Sequence, residues 1–124
     1  MKNCLLLLAG LSLGLGFSSC EYDNAETLYP PAPCDTTMVT YNLTVAPIIS
    51  YNCLNQDCHG GTAQVSGIPL DGYDNLKQQV DNMRLIGALR HENGFSFMPK
   101  NTTPLIECDI EKIERWVLNG APNN

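Results

Sequence analysis

A chain of 124 residues is enough for one small domain and too little for a large self-sufficient core. Its 13 acidic and 7 basic residues give a formal net charge of −6, without the clustered Lys and Arg on which nucleic-acid binding rests. Such acidity suits solubility and a basic partner surface.

The chain opens MKNCLLLLAGLSLGLGFSSC. Lys2 is followed by a run from Leu5 to Phe17 that only Ser12 interrupts, and Ser18 and Ser19 then precede Cys20. The layout is that of an export signal, short of the roughly 20 apolar residues that span a bilayer. With a cysteine directly after the small residues, it resembles a bacterial lipoprotein signal. That resemblance implies removal of residues 1–19 and a lipid on Cys20. One departure is Phe17, where such signals usually carry Leu, and an ordinary cleaved signal is the alternative. Either way the expected location is outside the cytoplasm, with the lipoprotein facing the periplasm or the cell exterior. Residues 21–35 hold three prolines and several acids, so residues 20–39 read as an extended membrane tether and 40–124 as the domain.

Within the domain, LTVAPIIS (Leu43 to Ser50) predicts a short helix from about Pro47 to Cys53, with Pro47 tolerated in its first turn. Gly60-Gly61 ends that element, and Thr62 to Pro69 reads as loop. After Leu70-Asp71-Gly72, the stripe Tyr73, Leu76 and Val80 predicts a helix. A further short helix is expected to carry Met83, Ile86 and Leu89. HENGFSFMPKNTTP (91–104) is too rich in Gly, Asn and Pro for regular helix. The last element, Glu107 to Leu118, has Ile110, Ile113 and Trp116-Val117 on one stripe, acids in its first turn and Gly120 beyond its end. No strand pattern of useful length appears. The expected fold class is all-α and loop-rich, with a core small enough to need a disulfide, metal or cofactor.

Export places the domain where disulfides persist. Of six cysteines, Cys4 leaves with the signal and Cys20 takes the lipid, so Cys34, Cys53, Cys58 and Cys108 remain, enough for two disulfides. Three readings compete for CLNQDCH (Cys53 to His59). Zinc accepts the Cys53/Cys58 spacing, but adjacent Cys58 and His59 rarely converge on one tetrahedral ion, and further ligands would have to come from Cys34, Cys108 or His91. A local Cys53–Cys58 disulfide leaves His59 without a role. Covalent haem uses all three residues: each thiol adds across one vinyl group, and the imidazole next to the second cysteine reaches the iron. The usual signature has two residues between the cysteines, whereas this one has four.

A haem iron of the electron-transfer kind takes a second axial ligand, commonly Met or His. Met98 sits in GFSFMPK, where Pro99 biases it to extended backbone and Phe95 and Phe97 are placed to exclude water. His91 is the rival distal ligand; after the basic end of a predicted helix it fits a surface or supporting group better. Met83, on a helical stripe, reads as core filler, and Met38 has no supporting context.

From Thr40 to Asn124, about two thirds of the chain, the sequence resembles the monohaem class I cytochrome c domains of bacterial lipoproteins. The matching features are VAPIIS, the Cys-Cys-His site followed by Gly60-Gly61, LDGYDNLK, Met98-Pro99 and the closing EKIERWVLNGAPNN, the most specific of them. The resemblance implies a small cytochrome c fold, one covalent haem c held by thioethers at Cys53 and Cys58, and His59 and Met98 as axial ligands. It further implies an electron carrier rather than a catalyst, working with redox protein partners. The four-residue spacer departs from the common site, and Ile106 stands where a polar N-cap would precede the last helix. Two other classes stay open: a peroxidase or gas-sensing domain with open iron if Met98 does not ligate, and a cofactor-free lipoprotein stapled by disulfides.

With Cys53 and Cys58 given to haem by the resemblance, Cys34 and Cys108 are expected to form a disulfide between tether and terminal helix. Thiol titration of the denatured, unreduced protein tests this: two free thiols beyond the haem-bound pair would rule the bridge out.

Overall fold

Thr40 opens the helical part of the chain. Its backbone is extended (φ −118°, ψ 160°), and its hydroxyl accepts from the Leu43 N–H at 3.3 Å, the usual service of an N-cap. The computed structural model describes residues 32–55, 58–61 and 67–124. The expected signal, Cys20 and most of the expected tether therefore lie outside the described residues. A compact unit runs from Pro33 to Asn124, so Cys34 and Val39 fold with it, and Val39 joins the hydrophobic core.

From Thr40 the chain winds as a π turn over Tyr41–Val45 and continues as α1, Ala46–Cys53. Winding thus begins before the predicted Pro47. Proline has no N–H to donate and its ring crowds the carbonyl four residues back; the wider turn ahead of it relieves that conflict. Tyr41, Val45 and Ile49 recur every fourth residue and are buried, whereas Leu43 and Tyr51 on the other side are exposed.

α2 (Tyr73–Asp81) buries Leu76, with Tyr73 and Val80 packed against the core. α3 (Leu85–Leu89) buries Leu85, Gly87 and Leu89. Met83 is a correction to the sequence reading: it lies in the turn between α2 and α3, at φ 54°, and is 80% exposed. The N–H groups of Asn82, Met83 and Arg84 all return to carbonyls of α2, so the turn, not an apolar stripe, decides where Met83 goes.

α4 (Glu107–Leu118) keeps its predicted bounds, and Ile110, Ile113 and Trp116 face inward. Ile106 supplies no side-chain cap. At the other end, the Gly120 N–H reaches Val117 O and the Ala121 N–H reaches Trp116 O, both at 2.9 Å, the paired bonds of a Schellman stop. The following residues are then spent on the core. Trp116 is wholly buried, and its indole N–H donates to Pro122 O at 2.9 Å. The Tyr73 hydroxyl donates to Ala121 O at 2.8 Å, and the Tyr41 N–H donates to the Asn124 side chain at 2.9 Å. The rings of Tyr41 and Tyr73 flank Trp116 at centroid distances of 5.8 and 6.5 Å. Three helical segments meet at this aromatic cluster. Among the described residues every regular element is helical, and no helix is long and apolar enough to cross a membrane.

Two links fasten the edges. Cys34 and Cys108 are joined as a disulfide with a Cα–Cα distance of 5.3 Å across a sequence separation of 74. On the chain-entropy account, closing a loop of that size stabilises by about 4 kcal/mol. Arg90, at the end of α3, makes a two-pronged pair with Glu114 of α4 (Nε to Oε1 2.6 Å, NH2 to Oε2 2.7 Å) and a further bond to Glu107. The Arg90 hydrogen bonds hold the Glu114 carboxyl below its ordinary value of 4.5.

A depressed carboxyl contributes stability above its unfolded value and loses it as pH falls through the lowered one. Arg90→Ala is therefore expected to cost on the order of 1 kcal/mol at pH 7, since both groups remain partly solvated. Urea melts at falling pH should show the difference from wild type disappearing below the Glu114 titration.

Candidate functional site

α1 stops at Cys53, with Leu54 leaving helical geometry (φ −92°, ψ 24°). The chain then folds back on itself. The Cys58 N–H donates to Asn55 O at 2.9 Å, and the His59 N–H donates to Cys53 O at 3.1 Å. Gly60 closes this loop against the backbone of Leu54: a Cβ at Gly60 would stand 2.2 Å from Leu54 O. Its glycine is thus required by close approach and not, as the sequence suggested, to stop a helix that has already ended. Gln56 and Asp57, half of the four-residue spacer, lie outside the described residues.

His59 is buried, and its Nδ1 lies 2.7 Å from Ile68 O. A carbonyl oxygen only accepts, so Nδ1 carries a proton, and in the neutral ring Nε2 then keeps its lone pair. Nε2 has no hydrogen-bond partner among the described residues. This is the tautomer a metal-ligating histidine needs, oriented by the kind of support such ligands use. Beside it, Cys53 and Cys58 are unpaired, half-buried thiols, so the local disulfide is not formed. Burial, with a smaller push from Cys58, raises the Cys53 thiol to about 11. Among the described residues, no three His, Cys, Asp or Glu side chains group to hold a bare metal ion, the arrangement zinc would demand. Covalent haem makes a different demand: two thiols for one porphyrin edge and one imidazole for the iron. The donor set of Cys53, Cys58 and His59 fits that group.

Met98 belongs to a second loop, held by α3. The Met98 N–H donates to Ala88 O at 3.0 Å, and the Met98–Pro99 peptide is cis. Phe95 lies so close on Gly87 that a Cβ there would meet its ring at 2.6 Å. His91 has φ 54°, donates from Nε2 to Met98 O at 3.1 Å, and stacks on Phe97 at 4.7 Å with an interplanar angle of 11°. With Nε2 so engaged, His91 supports the backbone of the Met98 loop. Phe97, expected to shield the ligand, is 49% exposed and spends one face on His91.

The two loops have separate supports, Ile68 for His59 and Ala88 for Met98, and no hydrogen bond joins them among the described residues. An open depression of about 650 Å³ lies over the second loop, lined by His91, Phe95, Phe97, Pro99 and Lys100 among others; Met98, Cys53, Cys58 and His59 are not part of its lining. The roles of Ile68, Ala88 and Gly87 were invisible in sequence. A backbone carbonyl carries no residue signal, and a helical glycine signals only the absence of a side chain. Comparison with protein-family models, curated proteins and solved structures finds no match.

Gly60→Ala forces the loop off Leu54. The expected cost is about 1–3 kcal/mol, read as a lower denaturant midpoint. An unchanged midpoint would mean that the loop does not need this closure.

Proposed function

We propose that this chain is a monohaem c-type cytochrome, tethered to a membrane by a lipid on Cys20, that carries single electrons between redox proteins outside the cytoplasm. The observation that carries the reading is the orientation of His59, with Nδ1 on Ile68 O and no partner for Nε2 among the described residues, directly after one of two unpaired thiols. Thioether bonds at Cys53 and Cys58 would hold one haem c, and His59 and Met98 would be its axial ligands. When bound, that group supplies an iron that exchanges one electron between its ferric and ferrous states.

The chain's own residues determine how the site would perform. Ile68 O holds the His59 ring in one orientation. The raised Cys53 thiol stays protonated until well above neutral pH, which keeps it from reacting indiscriminately before attachment. A Met98 thioether favours the ferrous state and so a higher potential. Occupation of both axial positions by protein leaves no need for a bound substrate, in keeping with a carrier rather than a catalyst. A lipid and tether over residues 20–39 would raise the effective concentration of the domain near its partners. The acidic chain suits a partner with a basic surface.

Protein matured with cytochrome c assembly factors should give a c-type pyridine haemochrome that survives acid–acetone extraction. Its absence would sink the haem reading. Met98→Ala should lose the weak Met-to-iron charge-transfer band of the ferric protein. Absence of that band from wild type would point to open iron instead.

A further inference from the structure

Met98 has both of its backbone polar groups committed. Its N–H donates to Ala88 O on α3, at 3.0 Å, and its C=O accepts from His91 Nε2 at 3.1 Å. The second bond comes from a residue held in place three times over. The His91 N–H donates to Ala88 O at 3.4 Å, its backbone takes the left-handed φ of 54°, and its ring lies flat on Phe97. A bulky side chain at positive φ carries strain, which a stacked ring and a hydrogen bond can offset. Because the Met98 carbonyl can only accept, Nε2 must carry the proton. His91 therefore offers the iron no free Nε2.

The same loop is pinned from its other end. The Glu92 N–H returns to Gly87 O at 2.9 Å, and the Phe95 ring covers Gly87 where no side chain larger than hydrogen fits. Helix α3, the turn at His91 and the segment from Phe95 to Met98 thus form one closed clamp. Its last fastening is the imidazole bond to Met98 O.

We infer that His91 is a positioning residue for Met98: it fixes the backbone of the distal ligand through the Nε2–H bond to Met98 O, and it does not itself ligate. This rests on the haem reading above. It adds a residue whose effect reaches the iron only through Met98. Loss of the bond frees the Met98 carbonyl and lets the loop leave α3, so a ligand from solution competes more easily for the distal position.

The test uses haem-loaded protein and three forms of the chain. His91→Gly suits the positive φ while removing the ring, and His91→Gln restores an N–H donor on a chain of similar reach. In the glycine variant, haem content should equal wild type while the Met-to-iron band weakens and the midpoint potential falls. Exogenous imidazole should displace the distal ligand roughly two- to tenfold more readily, as loss of one neutral hydrogen bond predicts. The glutamine variant should recover band and imidazole affinity. A haem-loaded glycine variant with the wild-type band, potential and imidazole affinity overturns the inference. So does a glutamine variant no better than glycine, because the bond would then not be the cause. If the glycine variant does not accumulate, His91→Leu keeps side-chain bulk without the donor, and a haem-loaded leucine variant with the wild-type band and imidazole affinity overturns the inference. Wild-type protein without a c-type haemochrome removes the haem reading itself, an outcome separate from these.

Discussion

Trp116 is the constraint on which the rest of the unit depends. A domain of this size has little apolar area to bury, and one wholly enclosed indole supplies a large share of it. Enclosing an indole requires a partner for its N–H, and Pro122 O provides one only because the chain turns back after α4. The Schellman stop at Gly120 makes that turn. Once made, it delivers Ala121 O to Tyr73 and Asn124 to Tyr41, so one hydrogen-bonding requirement brings the π turn, α2 and α4 together. Truncating such a side chain typically costs about 3–5 kcal/mol, a large part of the stability of a small domain.

The edges of the candidate site are built differently from this centre. The cysteine–histidine loop leaves the end of α1 and closes on itself through Gly60, with Ile68 O as the outside support for His59. The methionine loop is clamped to α3, and α3 is fastened in turn to α4 by Arg90. Each proposed axial ligand is thus oriented by backbone groups of an element other than its own. Such an arrangement fixes direction with few side chains, which suits a chain with few to spare.

Much of the helical framework was legible from residue spacing. α4 was fixed by Ile110, Ile113 and Trp116 at helical intervals and by the glycine after it. α2 was visible in Tyr73, Leu76 and Val80. Met83 was misplaced because three apolar residues at helical spacing look the same whether the chain runs through them or turns between them. The hydrogen bonds of Asn82, Met83 and Arg84 back to α2 decided for the turn. The bounds of α1 agree to within one residue, but the π turn ahead of it was not foreseen. Phe97 was assigned to shielding by its proximity to Met98, but its ring had a nearer partner in His91.

By itself the sequence determined the helical class, the bounds of the last helix and the short set of residues, Cys53, Cys58, His59 and Met98, with chemistry worth testing. Those follow from local periodicity and from side-chain chemistry, which are written residue by residue. Tertiary structure decided the tautomer of His59, the close approach at Gly60 and the employment of His91 as a support. Each of these depends on a backbone carbonyl or a ring brought near by folding. No spacing along the chain encodes which carbonyl that is.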